Sequence, residues 1–557
     1  MPASSPTAPE NGRPAAVRQR RGWLRQGVLL LLAMGCGVLV ANNPFRPSSE
    51  NPDATARGYL RFKEILSYVD RDYADSVDTE GLADYAVTQM LEKLDPHSVY
   101  IPARDREKTD AFLQSDYDGI GIEFNVFRDT MTVAPLSSGP AAQAGVQPGD
   151  QILSLGGKRV SGGHLSMAQL TQLLRGPRGS SATLVLHRRN QVNPISLSIA
   201  RSRIANSSID AAYLVDEQTG YIKVSRFASG TYDEFKAALA DLRRQGLTRL
   251  VLDLRGNPGG YLDRATRLAD EFIAGSRKIV YTDGKGDQYD SQTYAKVAGE
   301  FEEGPLVVLV DEGSASAAEV VAGALQDHDR AIIVGRRTFG KGLVQQPIAL
   351  SDGGELRLTI ARYYTPAGRS IQKPYGANYA EYAAELSGRS VRGELQSADS
   401  VRFAKELRFR TDHGRTVYGG GGIMPDVFVP RDSLAHSAYY TRLLSHGVVR
   451  AFALNFYQTH KAELEGLRFE QFNATFRISD AQLASLAAQA AQDGVKADAN
   501  AVRRCAPLLR NQLKAFIARS AYGLMPYYTV LREQDMELQR ALHAVSDSTA
   551  QLALLGK

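Results

Sequence analysis

Cysteine and tryptophan are scarce in this chain of 557 residues, which contains two cysteines, Cys36 and Cys505, and one tryptophan. Because Cys36 lies in an apolar N-terminal stretch, the sequence offers neither a disulfide framework nor the ligand spacing of a zinc site. A His-Glu-x-x-His motif is absent as well, so zinc-dependent hydrolysis has no support. The sequence therefore predicts no metal and no other cofactor.

Excess charge is also missing from most of the chain. The net charge is +5, and five arginines fall within the first 25 residues. The remainder is close to neutral and carries no electrostatic footprint for nucleic acid, so no nucleic-acid partner is expected. The five arginines are Arg13, Arg18, Arg20, Arg21 and Arg25.

The basic tail, residues 1–22, precedes a candidate membrane segment, residues 23–41. Its apolar run, Gln26–Ala41, has 16 residues, whereas a full span needs about 20 and a signal-peptide core about 7–15. With no A-x-A-like cleavage site, the pattern favours an uncleaved anchor in the inner membrane with the basic side cytoplasmic. The rest of the chain would then lie in the periplasm or envelope. Cleavage of the segment, giving a secreted protein, and lipidation at Cys36 both stay open.

Composition and periodicity divide the rest of the chain into six segments. Strands that alternate with helices predict a mixed α/β and α+β protein with a mainly parallel sheet in its centre. The predicted segments are a Pro-rich linker (42–56), a helical unit (57–113), a β-rich unit with Gly-rich turns (114–203), an alternating core (204–375), an irregular extension (376–429) and a helical region (430–557).

A candidate nucleophile lies in Asp311–Glu319, at a predicted strand–turn–helix junction that contains Ser314 and Ser316. A serine in the first turn of a helix has free backbone N–H groups beside it and the positive end of the helix dipole behind it. Both stabilise the negative charge that develops during acyl transfer. The alternative is that a serine here only caps the helix.

A candidate base, Lys341, lies between Gly340 and Gly342 after an apolar strand. If the amine is buried, its pKa falls from about 10.4 towards neutrality, and it can accept a serine proton. Gln345 follows four residues later, on the same face of an extended segment, and its amide can orient the amine without adding charge. The alternative is a solvated surface lysine.

Together these stretches resemble the carboxy-terminal processing peptidases, also called tail-specific proteases. Ser314–Ala317 with Glu319, and Thr338–Gly342 with Gln345, carry the resemblance, which covers roughly residues 57–375. Further blocks match in the same order: Leu94–Tyr100, Asp253–Gly260, Tyr364–Gln372 and, more weakly, Gly422–Asp426.

The resemblance implies a serine endopeptidase with a Ser–Lys mechanism. It implies a crotonase-like β/α protease core with an inserted PDZ domain, an N-terminal helical unit and a C-terminal helical region. The implied residues are Ser316 as nucleophile, Lys341 as general base, Gln345 as its orienting partner, the amides of Gly259 or Gly260 and of Ala317 as oxyanion donors, and Glu319 and Asp327 in support.

Pro258 argues against a Ser-His-Asp mechanism. Gly256–Gly260 is similar to the nucleophile loop of trypsin-like PDZ proteases, but proline occupies the position of their serine. We therefore interpret four histidines as structural or surface residues: His97, His164, His187 and His328.

The β-rich unit contains a candidate binding loop for substrate tails. Consecutive N–H groups in a Gly-rich turn can hold a terminal carboxylate while the adjoining strand pairs with an extended peptide. The segment resembles the carboxylate-binding loop of PDZ domains, which implies protein partners with unstructured, apolar C-termini. The loop residues are Gly119, Ile120, Gly121, Ile122 and Phe124.

Two other interpretations stay open: a catalytically inactive PDZ scaffold on the same fold, and an adaptor whose helical region 430–557 organises partners. The resemblance also implies that the flanking helical parts can form a homodimer, that the PDZ module can gate the catalytic site, and that the substrates are exported or envelope proteins.

Overall fold

The computed structural model describes residues 52–135, 139–189, 191–376, 379–434, 437–496 and 499–556. The chain separates into two units, residues 1–85 and 86–557. The predicted anchor, residues 23–41, lies outside the described residues. None of the described helices combines the length and the apolar character that a membrane crossing requires.

Helices dominate the described residues before position 114, as the spacing of apolar residues predicts. Helix α1 begins at Pro52, inside the segment predicted as a linker. The elements are α1 (Pro52–Asp72), α2 (Thr79–Glu92), the short strand β1 (Val99–Ile101) and α3 (Ala103–Leu113).

The β-rich unit is an antiparallel sheet entered and left through a pair of strands, β2 (Asp116–Gly119) and β9 (Ser202–Ala205). The sheet order is β3-β4-β5-β7-β8, with β6 beside β5, so β3 is an edge strand of this sheet. The remaining elements are β3 (Phe124–Phe127), β4 (Thr130–Val133), α4 (Pro140–Gln143), β5 (Gln151–Leu155), β6 (Lys158–Arg159), α5 (Met167–Leu174), β7 (Ser181–His187) and β8 (Ile195–Ala200).

A six-stranded sheet, parallel except at its β10 edge, forms the centre of the protease-like core, in the order β10-β11-β12-β15-β16-β21. Its middle strand β15 (Leu306–Val310) is apolar and buried throughout, because helices cover both faces. Leu250 and Val308 pack against helices α6 to α8, whereas Val251 and Val307 pack against α17 and α18. The elements are β10 (Ile209–Leu214), β11 (Thr219–Val224), α6 (Thr231–Arg244), β12 (Arg249–Asp253), α7 (Leu262–Asp270), β15 (Leu306–Val310), α8 (Ala317–Asp327), β16 (Ile332–Gly335), β21 (Val427–Phe428), α17 (Met536–Ser546) and α18 (Ser548–Leu554).

A second, antiparallel sheet lies beside this core and contains the strand that follows Lys341. Strand β18 lies in its middle and pairs with β1, β13 and β17. Its strands are β1, β13 (Lys278–Gly284), β14 (Ser291–Tyr294), β17 (Leu343–Ala349) and β18 (Glu355–Tyr364).

The stretch 376–429, predicted as irregular, contains a 13-residue helix and a strand pair, and β21 from this stretch joins the central sheet. The elements are α9 (Tyr379–Val391), β19 (Arg408–Arg410) and β20 (Thr416–Tyr418). Arg389 of α9 is buried and donates to the backbone carbonyls of Thr338 and Phe339, beside the Lys341 loop.

The C-terminal region is helical, as predicted, but its parts have different neighbours. Its last two helices, α17 and α18, complete the central sheet, while the earlier helices form a core of their own with Phe127 of β3 packed against it. These earlier helices are α10 (Ala438–Ser445), α11 (Val448–Thr459), α12 (Lys461–Glu465), α13 (Phe469–Thr475), α14 (Asp480–Gln492), α15 (Ala499–Tyr522) and α16 (Leu524–Leu531).

Candidate active site

Ser316 is the residue that immediately precedes α8. Its backbone has φ 55° and ψ −117°, a conformation that residues other than glycine rarely adopt. Ser314 instead points into the protein, where its hydroxyl donates to the carbonyl of Leu254 at 2.8 Å and it is fully buried. The second serine of the pair is therefore the one presented at the surface of a cavity.

This cavity has a volume of about 330 Å³ and collects six of the residues predicted for the site. Because they come from three separate segments of the chain, their convergence is a property of the fold. They are Gly259, Gly260, Ser316, Ala317, Lys341 and Gln345.

Lys341 is held by the glutamine that follows it. Its amine donates to Oε1 of Gln345 at 2.8 Å, and the amide of Gln345 donates in turn to the carbonyl oxygen of His97. Burial lowers the pKa of Lys341 from its usual 10.5, which favours the neutral amine. Within the described residues the amine makes no hydrogen bond to the hydroxyl of Ser316.

Glu319 ties the serine turn to the lysine loop. Its carboxylate is fully buried and accepts the backbone N–H groups of Ser316 (2.8 Å), Gly340 (2.7 Å) and Lys341 (2.9 Å), together with the hydroxyl of Thr338 (2.5 Å). Burial raises the pKa of Glu319 to about 7, against the four donors, which favour the charged form. The sequence names Glu319 only as a supporting residue, and the structure encloses its carboxylate because all residues of α8 are buried.

Tyr363, which the sequence did not single out, makes a second link between the same two segments. Its hydroxyl lies 3.0 Å from the carbonyl oxygen of Ser316 and also within hydrogen-bonding distance of the carbonyl of Lys341. Burial raises its pKa well above 10, so the group stays a donor. It acts on backbone atoms, which no sequence motif reveals.

The predicted oxyanion donors differ in their availability. Gly259 donates its N–H to Oδ1 of Asn257 at 2.8 Å, whereas no hydrogen bond among the described residues uses the N–H of Gly260 or Ala317. A Cβ atom on Gly259 would lie 2.7 Å from that of Ser316, so only glycine allows this approach. The geometry favours Gly260 and Ala317 as the pair that faces a substrate oxygen.

Asp95 and His97 connect the block Leu94–Tyr100 to the site. Oδ1 of Asp95 accepts the N–H groups of His97 and Ser98, both at 2.8 Å, and this turn presents the His97 carbonyl to Gln345. Burial lowers the pKa of the His97 ring to about 4, and its Nε2 lies 2.6 Å from the hydroxyl of Tyr382. His97 thus contributes a backbone oxygen to the site.

Asp327 does not reach the cavity. It lies at the far end of α8 and forms a buried ion pair with Arg369, with Oδ1 2.6 Å from the guanidinium. Its other oxygen accepts the N–H of Ala367 at 3.0 Å, so its contacts hold the Tyr364–Gln372 block against α8.

The predicted tail-binding loop lines a separate cavity of about 330 Å³. Gly121 has φ 72°, and within the described residues no hydrogen bond uses the backbone N–H of Gly121 or Ile122. Gly119 lies at the end of β2, beside this cavity but outside its lining. The cavity is lined by Ile120, Gly121, Ile122 and Phe124 of the predicted set.

Family models match three parts of this chain. Residues 218–378 match peptidase family S41, residues 133–188 match the PDZ domain, and residues 439–523 match a family of unknown function (DUF8443). The solved structure of a photosystem II D1 C-terminal processing protease is 30% identical, with 56% of this chain and 89% of that chain covered at a TM-score of 0.31.

Curated relatives match a larger share of the chain than each family model does. A carboxy-terminal-processing protease of Bartonella bacilliformis is 36% identical over 365 residues, which cover 63% of this chain and 83% of the relative. The processing protease CtpB of Bacillus subtilis is 33% identical, over 56% of this chain and 65% of its own. The chain therefore belongs to the carboxy-terminal processing proteases of peptidase family S41 and is a serine-type peptidase.

Proposed function

We propose that this protein cleaves substrate proteins through an acyl-enzyme, with Ser316 as nucleophile and Lys341 as general base. The supporting observation is that both side chains line one cavity and that burial favours the neutral form of the Lys341 amine. A neutral amine that donates one N–H to Gln345 keeps its lone pair for the proton of Ser316.

The reaction follows from these positions. The Ser316 oxygen attacks the peptide carbonyl as its proton passes to Lys341, and the N–H groups of Gly260 and Ala317 receive the oxyanion. Lys341 then returns the proton to the leaving amine. Water then attacks the acyl carbonyl as Lys341 takes its proton, and Lys341 returns that proton to the Ser316 oxygen when the bond between this oxygen and the acyl carbon breaks.

A fluorophosphonate probe tests this assignment. The probe should modify Ser316, located by peptide mass spectrometry, and the adduct should be lost in Ser316→Ala and strongly reduced in Lys341→Ala. Lys296→Ala removes an exposed lysine outside the cavity and should label as the wild type does. Adduct formation on Ser314, or unchanged labelling of Lys341→Ala, contradicts the mechanism. A wild type that neither labels nor cleaves an unfolded protein supports the inactive scaffold instead.

We further propose that the PDZ domain captures unstructured, apolar C-termini of exported or envelope proteins. The unused N–H groups of Gly121 and Ile122 and the apolar side chains of Ile120 and Phe124 support this role. A fluorescent peptide with a free apolar C-terminus should bind, and the same peptide with an amidated end should not. Equal binding of the two peptides contradicts capture by the carboxylate loop.

We also propose that residues 23–41 tether the protein to the membrane and that the protein forms a homodimer. Helix α1 exposes large apolar side chains, among them Tyr59 (64%), Leu60 (61%) and Ile65 (54%), which a second copy would cover. Light scattering on the detergent-solubilised full chain should give a dimer, and Leu60→Glu should give a monomer. Recovery of the full chain in the soluble fraction of cells contradicts the tether.

A further inference from the structure

The C-terminal helices α10–α16 form a unit of which α11 and α15 line the groove of the PDZ domain. We call them the helical module (residues 438–531). The tail-binding cavity is lined on one side by the loop and β3 of the PDZ domain and on the other by the helical module. The module contributes Arg450 and Leu454 from α11 and Phe516, Arg519 and Ser520 from α15.

Polar contacts fix the two arginines of the module over the PDZ strand. Arg519 forms an ion pair with Glu123, with 2.7 Å between Nη2 and Oε2. Arg450 donates to Oδ1 of Asn125 at 2.7 Å, and its guanidinium lies over the ring of Phe516 at 5.4 Å. With Arg175 from the end of α5, the cavity lining contains three arginines against one glutamate, so it attracts a negatively charged ligand.

The alternation of side chains on β3 shows which part of a ligand would meet these arginines. Phe124 packs against the PDZ core, whereas its neighbours Glu123 and Asn125 contact the helical module. An extended tail that pairs with the free edge of β3 alternates in the same way. If its last side chain enters the apolar pocket, the penultimate one points to Arg450 and Arg519.

We propose that the helical module is the second wall of the tail-binding site and that Arg450 and Arg519 select tails with an acidic penultimate side chain. This inference rests on the proposed capture of C-termini by the PDZ domain. The proposal gives the helical module a role in recognition that the PDZ loop does not have. The module would contact substrate side chains that an isolated PDZ domain would leave in solvent.

Peptide binding to the full chain tests the inference. Ser316→Ala is used as background so that peptides are not cleaved. Fluorescent ten-residue peptides end in leucine and carry Asp, Asn or Lys at the penultimate position. We expect the Asp peptide to bind about tenfold more tightly than the Lys peptide, a difference of about 1.4 kcal/mol. Arg519→Glu and Arg450→Glu should each abolish or reverse this order.

Arg504→Glu is the matched control, because Arg504 lies on the same helix α15, is exposed and is outside the cavity. Arg504→Glu should keep the wild-type order of peptide affinities. Arg519→Gln removes the charge without reversing it and should weaken the preference for the Asp peptide, so it serves as a second variant if Arg519→Glu disturbs folding. Tails that bind in all variants without charge preference overturn the inference and leave the proposed function intact. If no free-carboxylate tail binds the wild type, capture by the PDZ domain and this inference both fail.

Discussion

Lys341 is the residue whose protonation should set the pH dependence of cleavage. Burial lowers its pKa below 10.5, and the charged groups that act on it are Asp95 and Glu319, which raise the pKa, and Arg357, which lowers it. Only the neutral amine accepts a proton, so kcat/KM should rise with pH as the amine loses its charge. The rising limb should have an apparent pKa below 10.5, measured with a short internally quenched peptide. A rate that falls over the same pH range would contradict a lysine base.

Glu319 should make stability depend on pH in a direction opposite to that of most carboxylates. Because burial raises its pKa to about 7 from 4.5, the native state binds this proton more tightly than the unfolded state between those pH values. The contribution of Glu319 to the free energy of unfolding should therefore fall by roughly 3 kcal/mol as pH rises through that window.

Urea denaturation of the wild type and Glu319→Gln at pH 5 and pH 8 measures this effect. The variant should lack the decrease, while Glu217→Gln, which changes an exposed glutamate, should behave as the wild type. Parallel pH profiles for the wild type and Glu319→Gln would show that the carboxyl keeps its ordinary pKa.

At the scale of elements, the turn formed by residues 95–98 holds the base through two intermediates. Asp95 fixes the turn, the turn presents the His97 carbonyl, and that carbonyl holds Gln345. Asp95→Asn should keep most of these hydrogen bonds but remove a charge that raises the pKa of Lys341, so the rising limb should move to lower pH. Asp95→Ala should in addition lower kcat by about 10²-fold, because the amine loses its position.

The different effects expected for Asp95→Asn and Asp95→Ala distinguish a role of Asp95 in positioning Lys341 from a role in folding alone. A purely structural role for Asp95 would lower the amount of active enzyme without moving the pH profile, and such a result would contradict the proposed linkage. Asp287→Asn, at an exposed aspartate that lines neither of the two cavities described above, is the matched control and should leave both kcat and the limb unchanged.

Elements of the site differ in how far the sequence predicted them. The turn at Ser316 and the loop at Lys341 were predictable because each is a local pattern of glycine, serine and a following helix or strand. Tyr363 was not, since it acts on the carbonyls of Ser316 and Lys341 through contacts between distant segments. Glu319 was predicted only as a supporting residue, because three of its four donors come from the loop 338–341, which the pattern of α8 does not reveal.

At the scale of the whole molecule, the C-terminal region is the part whose contacts the sequence predicted least well. Its helical content followed from composition, but its contacts include charged pairs between distant segments, such as Arg519 with Glu123 and Arg128 with Asp493. Arg255 and Asp535, 2.7 Å apart, likewise join the strand β12 to α17. Periodicity predicts which elements form, and it does not predict such partners.

Helix α17 should therefore be necessary for the stability of the protease core. Leu538 is 1% exposed and packs on the face of the central sheet that carries Val251 and Val307. Leu538→Ala leaves a cavity at this face and should lower the free energy of unfolding by about 2–5 kcal/mol. Leu552→Ala, in α18 but 49% exposed, should change it by less than about 0.5 kcal/mol.

The shift should appear in the urea midpoint of the protease core, which can be followed by the loss of fluorophosphonate labelling at Ser316. A region that serves only as a docking platform for partners would instead tolerate both substitutions equally. Equal midpoints for the Leu538 and Leu552 variants would thus show that α17 is dispensable for the core. A urea midpoint that falls in Leu538→Ala and not in Leu552→Ala would show that the last helices belong to the catalytic domain. These helices bury the face of the sheet opposite α8.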